Sequence, residues 1–276
     1  MDRRVCLLVV LLTVGCLADP YHIANSPPNA PRPIAALDTV FLEEMTWMEV
    51  RDALRDGKTT VLVPTGGIEQ NGPYVATGKH NYIVRAIAEV VARQLGNALV
   101  APVVPFVPEG DIDPPSEHMK FPGTISLTED AYERLLTDIC ASLRVHGFRN
   151  ILLLGDSGGN QRGMQAVAKR LTDKWTHDKV RVHFIPEYYN YDEVTRWLAQ
   201  QGIQLKSEEV HDDFIVTAQL LAVRPNTVRM QERLSAGRFR ISGLTLSPAE
   251  AAEWGKKIIA YRADRTVQAI YRAIQR

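Results

Sequence analysis

Three segments of this 276-residue chain bring acids, histidines and glycines together at spacings that could support chemistry. The first, Pro64-Thr65-Gly66-Gly67-Ile68-Glu69-Gln70-Asn71-Gly72-Pro73, is a glycine-rich turn carrying one acid. The second begins at Glu109, passes through Asp111, Asp113, Glu117 and His118, and leads through Pro122-Gly123 toward a helix. In the third, Leu154-Gly155-Asp156-Ser157-Gly158-Gly159-Asn160, an acid and a serine precede two glycines whose backbone could approach a ligand closely. Carboxylates and neutral imidazoles are the groups that general acid–base catalysis and divalent-metal binding require. On these grounds Glu117 and His118 are the candidate acid–base groups. A glycine turn with a single glutamate is common by itself, and His118 could equally be a hydrogen-bonded loop histidine. Gly-Asp-Ser-Gly-Gly also evokes a serine-protease nucleophile loop.

Positioning such groups needs a scaffold, and the hydrophobic pattern supplies one. Apolar runs at 60–64, 99–104, 150–154 and 180–185 read as buried strands. Helical patterns follow at 82–95, 128–146, 163–174, 191–201, 213–222 and 248–274. This alternation predicts an α/β fold, a three-layer α/β/α sandwich with a mostly parallel central sheet. All three segments then lie just past strand ends, where open parallel sheets gather their functional groups. Tyr188, in Tyr188-Tyr189-Asn190-Tyr191 after the fourth run, is expected in an aromatic wall for a small ligand.

Lys plus Arg and Asp plus Glu are each 32, so the net charge is zero and no field is available to hold nucleic acid. A 45% hydrophobic content over this length is enough for one substantial core. Arg3 and Arg4 precede an apolar run from Val5 to Leu17 that is too short to span a bilayer but suits a signal peptide. Residues 1–18 are therefore expected to be removed after Ala18, leaving a periplasmic or secreted protein without stable membrane insertion. An uncleaved anchor, or lipid attachment at Cys16, is the alternative. The prolines of 19–35 favour an extended tether, with the domain occupying 36–276. Cleavage leaves Cys140 alone in an apolar helical stretch, so no internal disulfide can form.

The order Glu-x-x-Gly-Pro, then Glu117-His118-Met119-Lys120-Phe121-Pro122-Gly123-Thr124-Ile125-Ser126-Leu127, then Gly-x-x-Gly-Gly-Asn resembles the creatininase (creatinine amidohydrolase) family over roughly 61–225. The resemblance implies a three-layer fold and hydrolysis of C–N bonds in cyclic or linear amides. It also implies a pair of divalent metals, often zinc or manganese, and an oligomer built from copies of the same chain.

Several positions depart from the family pattern. Glu69, Asn71 and His80 stand where the family has glutamate, histidine and a bridging aspartate, and Ser157 replaces a histidine ahead of the unchanged Gly158, Gly159 and Asn160. Downstream, His211 and Thr217 agree, whereas Phe214 and Val216 stand where acids are expected. The resemblance then leaves Glu69, His80, Asp156 and His211 as the metal set, with Asp212 or Asp213 able to add to it, and one zinc or manganese ion is expected. Asn71, Ser157, Gly158, Gly159, Asn160 and Tyr188 are the expected substrate contacts. A non-catalytic periplasmic binding protein is the competing function. A serine hydrolase using Ser157 with His211 or His118 is opposed by the missing Gly-x-Ser-x-Gly elbow.

Overall fold

In the computed structural model, which describes residues 26–206, 211, 213–238 and 240–275, the four apolar runs form one parallel sheet. The expected signal peptide, with Cys16, and Asp212 lie outside the described residues. The strands are β1 (Thr60–Thr65), β2 (Ala98–Val100), β3 (Asn150–Gly155) and β4 (Arg181–Phe184), in the order β2-β1-β3-β4. Residues 26–36 belong to a first unit with one turn, where the Ala30 amide donates to the Pro27 carbonyl at 2.9 Å. The second unit, from Leu37 to Arg276, carries the sheet and the helices that cover it.

The helices are α1 (Trp47–Arg55), α2 (Lys79–Leu95), α3 (Glu129–Val145), α4 (Gln161–Lys174), α5 (Tyr191–Gln200), α6 (Phe214–Val223), α7 (Met230–Ser235) and α8 (Pro248–Ile274). Successive strand residues face opposite sides of a sheet. Leu62, Val100, Leu152 and Leu154 accordingly pack with α2, α6 and α8, while Val61, Leu99, Ile151 and Leu153 pack with α3 and α4. With both faces covered, all six residues of β1 are buried, and the three-layer α/β expectation is met. Helix α6 is buried on almost every side and lies under α8, where a β-carbon on Gly255 would come within 1.9 Å of the Ala218 carbonyl oxygen. Among the described residues no helix is long and apolar enough to cross a membrane.

Helices α1 and α7 and several element ends differ from the sequence pattern, and three of these differences have a clear local reason. Strand β2 stops at Val100 instead of 104 because Pro102 and Pro105 cannot donate to a ladder; only a bridge between Thr65 and Val104 continues it. Helix α2 starts at Lys79 instead of 82, directly after Gly78, which brings Lys79 and His80 into its first turn. Helix α1 had no counterpart in the pattern, yet Thr46 and Glu49 close a capping box at its start.

The β1–β3 register pairs Thr65 with Gly155, so the two chains leave the sheet side by side. Glu69 and Asp156 thereby emerge over the same sheet edge. The Asn160 side-chain amide ties the two exits together by donating to the carbonyls of Thr65 at 3.3 Å and Gly66 at 3.1 Å.

Candidate active site

Five buried charged groups form a row from α8 to a cavity at this edge. Arg262 of α8 lies 2.7 Å from Asp156 Oδ1, and the other Asp156 oxygen is 2.9 Å from His80 Nδ1. His80 Nε2 is 2.8 Å from Glu69 Oε1, which also lies 2.8 Å from Lys79 Nζ. The signs alternate along the row, and no member's side chain is more than 8% exposed. Buried charges persist only when paired, and here each acid has a cation on either side.

The row sets the protonation states of its members. Burial by itself would raise Glu69, but the bonds and charges of His80 and Lys79 outweigh it and hold the carboxyl well below the usual range. Asp156 likewise sits low because Arg262 and His80 outweigh its burial. Burial opposes charge on His80, yet its hydrogen bonds to Asp156 and Glu69 raise it above an ordinary histidine. Both ring nitrogens of His80 thus lie within hydrogen-bond range of a carboxylate oxygen. Tyr191 donates to Asp156 Oδ1 at 3.3 Å, and Arg262 lies over the rings of Tyr188 and Tyr191 at 4.6 and 4.7 Å.

A second cluster meets the row at Glu69. His118, on the turn Glu117–Lys120, places Nε2 3.0 Å from Glu69 Oε2, and Glu109 enters from the loop after β2. Ligand atoms of Glu69, Glu109 and His118 all lie within 4.8 Å of one another. Burial and the neighbouring Glu69 charge push Glu109 up to about 9, so it carries a proton near neutral pH. Its Oε2 accepts from the Ser157 hydroxyl at 3.0 Å, while its buried Oε1 has no hydrogen-bond partner. The loops approach closely here: a β-carbon on Gly67 would lie 2.2 Å from Glu109 Oε1, and one on Gly159 would lie 1.7 Å from the Pro108 carbonyl oxygen.

These groups line a cavity of about 800 Å³, into which Glu69, Asp156, Ser157, Glu117, His118 and His211 all open. Of the four expected ligands, only Glu69 belongs to the cluster of convergent donors. His80 and Asp156 stand in the charge row: both His80 ring nitrogens lie within hydrogen-bond range of a carboxylate oxygen, and Asp156 is met by Arg262, His80 and Tyr191. His211 lies on the cavity wall with its ring 4.9 Å from that of His118, edge to face. Glu117 is exposed on the rim.

Of the residues expected to contact substrate, Ser157, Gly158 and Gly159 line the cavity, whereas Asn71, Asn160 and Tyr188 do not. Asn71 accepts from Lys79 at 2.7 Å, Asn160 joins the strand ends, and Tyr188 is turned inward under Arg262. Tyr189 and Tyr191 form the aromatic wall instead. The Ser157 hydroxyl donates to a carboxyl group, not to an imidazole, which separates it from a serine–histidine dyad.

Lys79, Glu109 and Arg262 were not singled out by sequence reasoning. Glu109 is one of the four acids in the second segment, and Lys79 adjoins His80. Arg262 follows Gly255, Ile258 and Ile259 on the buried stripe of α8, and an arginine on such a stripe calls for a buried partner.

A family model described as "Creatininase: Creatinine amidohydrolase" matches residues 43–270. The chain belongs to the creatininase family. Relatives include a 3-dehydro-scyllo-inosose hydrolase of Thermotoga maritima, 28% identical over 43% of this chain and 36% of that protein. A mycofactocin precursor peptide peptidase of Mycolicibacterium smegmatis is 34% identical over 40% of this chain and 44% of its own length. The creatinine amidohydrolase of Pseudomonas putida is 26% identical over 69% of this chain and 74% of that one. The alignments thus span under half of the first two relatives. A solved structure named "Creatininase Mn" superposes with a TM-score of 0.62 at 23% identity, over 86% of this chain and 98% of its own. A mutant creatininase of "Zn-Zn type" gives 0.62 at 22%, over 85% and 98%. At these identities the superpositions establish the creatininase fold, and the site has to be judged on its own donors. Two carboxylates and an imidazole converging on a cavity, with one buried carboxyl oxygen unsatisfied, fit a zinc or manganese ion.

Proposed function

We propose that this creatininase-family protein is an amidohydrolase that cleaves a C–N bond of a small cyclic or linear amide, using one zinc or manganese ion held by Glu69, Glu109 and His118. The convergence of those three donors on the wall of the cavity carries this reading. The activities for which its relatives are named, hydrolysis of creatinine and cleavage of a precursor peptide among them, support the choice of bond.

An ion bound there would polarise the amide carbonyl and supply hydroxide near neutral pH. The protein's own groups do the rest. The charge row holds Glu69 ionised and immobile, and Glu109 has a proton to surrender when a cation arrives. His211 is the candidate proton carrier. Burial and then the nearby Lys79 hold it below an ordinary histidine, so it is a neutral imidazole on the cavity wall, and its Nδ1 has no hydrogen-bond partner. Tyr189 and Tyr191 give the substrate an apolar face.

Protein purified without chelators should carry one zinc or manganese ion per chain by elemental analysis. Glu109→Gln and His118→Ala should each weaken ion binding by at least about 10- to 100-fold, the range already reached when outer-shell partners are lost. The loaded protein should release amine or carboxylate from some member of a panel of lactams, cyclic imides and short peptides. A protein that holds the ion but hydrolyses none of them would be a small-ligand-binding protein.

We also infer export, from the charged start, the apolar run and Ala18. The mature chain should begin at Asp19, and an intact Met1 on cytosolic protein would refute this.

A further inference from the structure

One cation of the site is a side chain. Lys79 stands in the first turn of α2 with its side chain only 3% exposed, and it opens into the same cavity as the Glu69, Glu109 and His118 cluster. An ammonium has three N–H donors and no acceptor. Two of the three are used, toward Glu69 Oε1 at 2.8 Å and Asn71 Oδ1 at 2.7 Å. We propose that the Lys79 ammonium is a built-in second cation of the active site, taking the Glu69 oxygen that a second divalent ion would need and offering its remaining N–H to the carbonyl or oxyanion of the bound amide.

The division of Glu69 supports this. Oε1 serves Lys79 and His80, while Oε2 faces His118 on the side of the candidate metal cluster. A divalent ion added on the Oε1 side would meet the Lys79 ammonium within hydrogen-bond range of the same oxygen, and like charges that close repel strongly in a low-dielectric site. Asn71 supplies only a neutral amide oxygen there, and that oxygen already accepts from Lys79. A cation held rigidly beside the reacting carbonyl also suits catalysis, because its position costs no reorganisation as negative charge develops on the oxygen. The proposal rests on the one-ion amidohydrolase reading but makes separate demands.

The test uses the full-length protein as wild type, Lys79→Met and Lys79→Gln, two charge-removing replacements, so that a folding defect in either one, checked by thermal melting, does not decide the result. Zinc and manganese are titrated calorimetrically into each. Sodium acetate, a plain carboxylate oxyanion, is titrated into the metal-free forms. The wild type should take one ion, and both variants should bind that ion at least about tenfold more tightly because a nearby positive charge is gone. Acetate should bind at least about tenfold more weakly to both variants, which have lost a charged donor. Two ions on the wild type, unchanged ion affinity in both variants, or unchanged acetate affinity in both would each overturn the proposal. If no form takes up an ion, the metal reading fails by itself, and acetate alone then decides the role of Lys79.

Discussion

Glu69→Gln should empty the site of metal and destabilise the fold in one step. Glu69 is paired with Lys79, His80 and His118 at 2.8, 2.8 and 3.0 Å, so the change leaves three groups facing a neutral amide instead of a carboxylate. Removing one partner from a buried ion pair costs about 3–5 kcal/mol, because the remaining charge is left uncompensated. For a domain of this size that corresponds to a fall in Tm of roughly 6–20 °C. Zinc affinity should drop by more than about 100-fold, beyond the effect of losing an outer-shell partner. A Glu69→Gln protein that melts with the wild type and binds zinc within about tenfold of it would show that the carboxylate is neither hub nor ligand.

Arg262→Met should affect stability just as strongly and the metal hardly at all. Asp156 is fully buried, and Arg262 is its charged neighbour on the side away from His80. Loss of the guanidinium leaves Asp156 with His80 and Tyr191, and a cost of about 3 kcal/mol or more is expected. The pH dependence follows from the direction of each shift. Asp156 is held low in the folded state, so it adds stability above the unfolded carboxylate value of about 3.9, and that stability is lost as pH falls through the lowered folded value. His80 is raised, so its contribution is full below about 6.5 and fades as pH rises through the folded value. Without Arg262 the Asp156 carboxyl titrates higher, and acid unfolding should begin at higher pH than in the wild type. An unchanged acid limb, or a loss of zinc affinity comparable with that of Glu69→Gln, would place Arg262 in a different role.

The strands and most helices could be read from periodicity because each buries a continuous apolar stripe or run, as β1 and β3 do. The three functional segments could be read because glycines and acids cluster immediately past those strands. Which donors would converge was not legible. His80 and Asp156 have ligand chemistry, and only their distances to Glu69 and Arg262 show that they also form a buried chain of charged partners. Glu109 reaches the cavity because Gly67 and Gly159 let the loop after β2 settle against the turns after β1 and β3, and Lys79 reaches it from the first turn of α2. Tyr188 and Tyr191 differ in orientation, which a three-residue separation around the turn Pro186–Tyr189 does not reveal.

Helix α8 reaches almost to the end of the chain, and Arg262 lies within it. Every other member of the charge row is synthesised at least a hundred residues earlier, since the nearest is Asp156. A nascent chain can therefore assemble the sheet and its loops while Asp156 still lacks its principal counter-charge, and the docking of α8 is the event that completes the electrostatics. Fragments ending before α8 would contain each proposed metal donor and yet lack the arginine that anchors the row. The C-terminal helix, which contributes no proposed ligand, therefore sets when the Asp156 charge becomes fully paired.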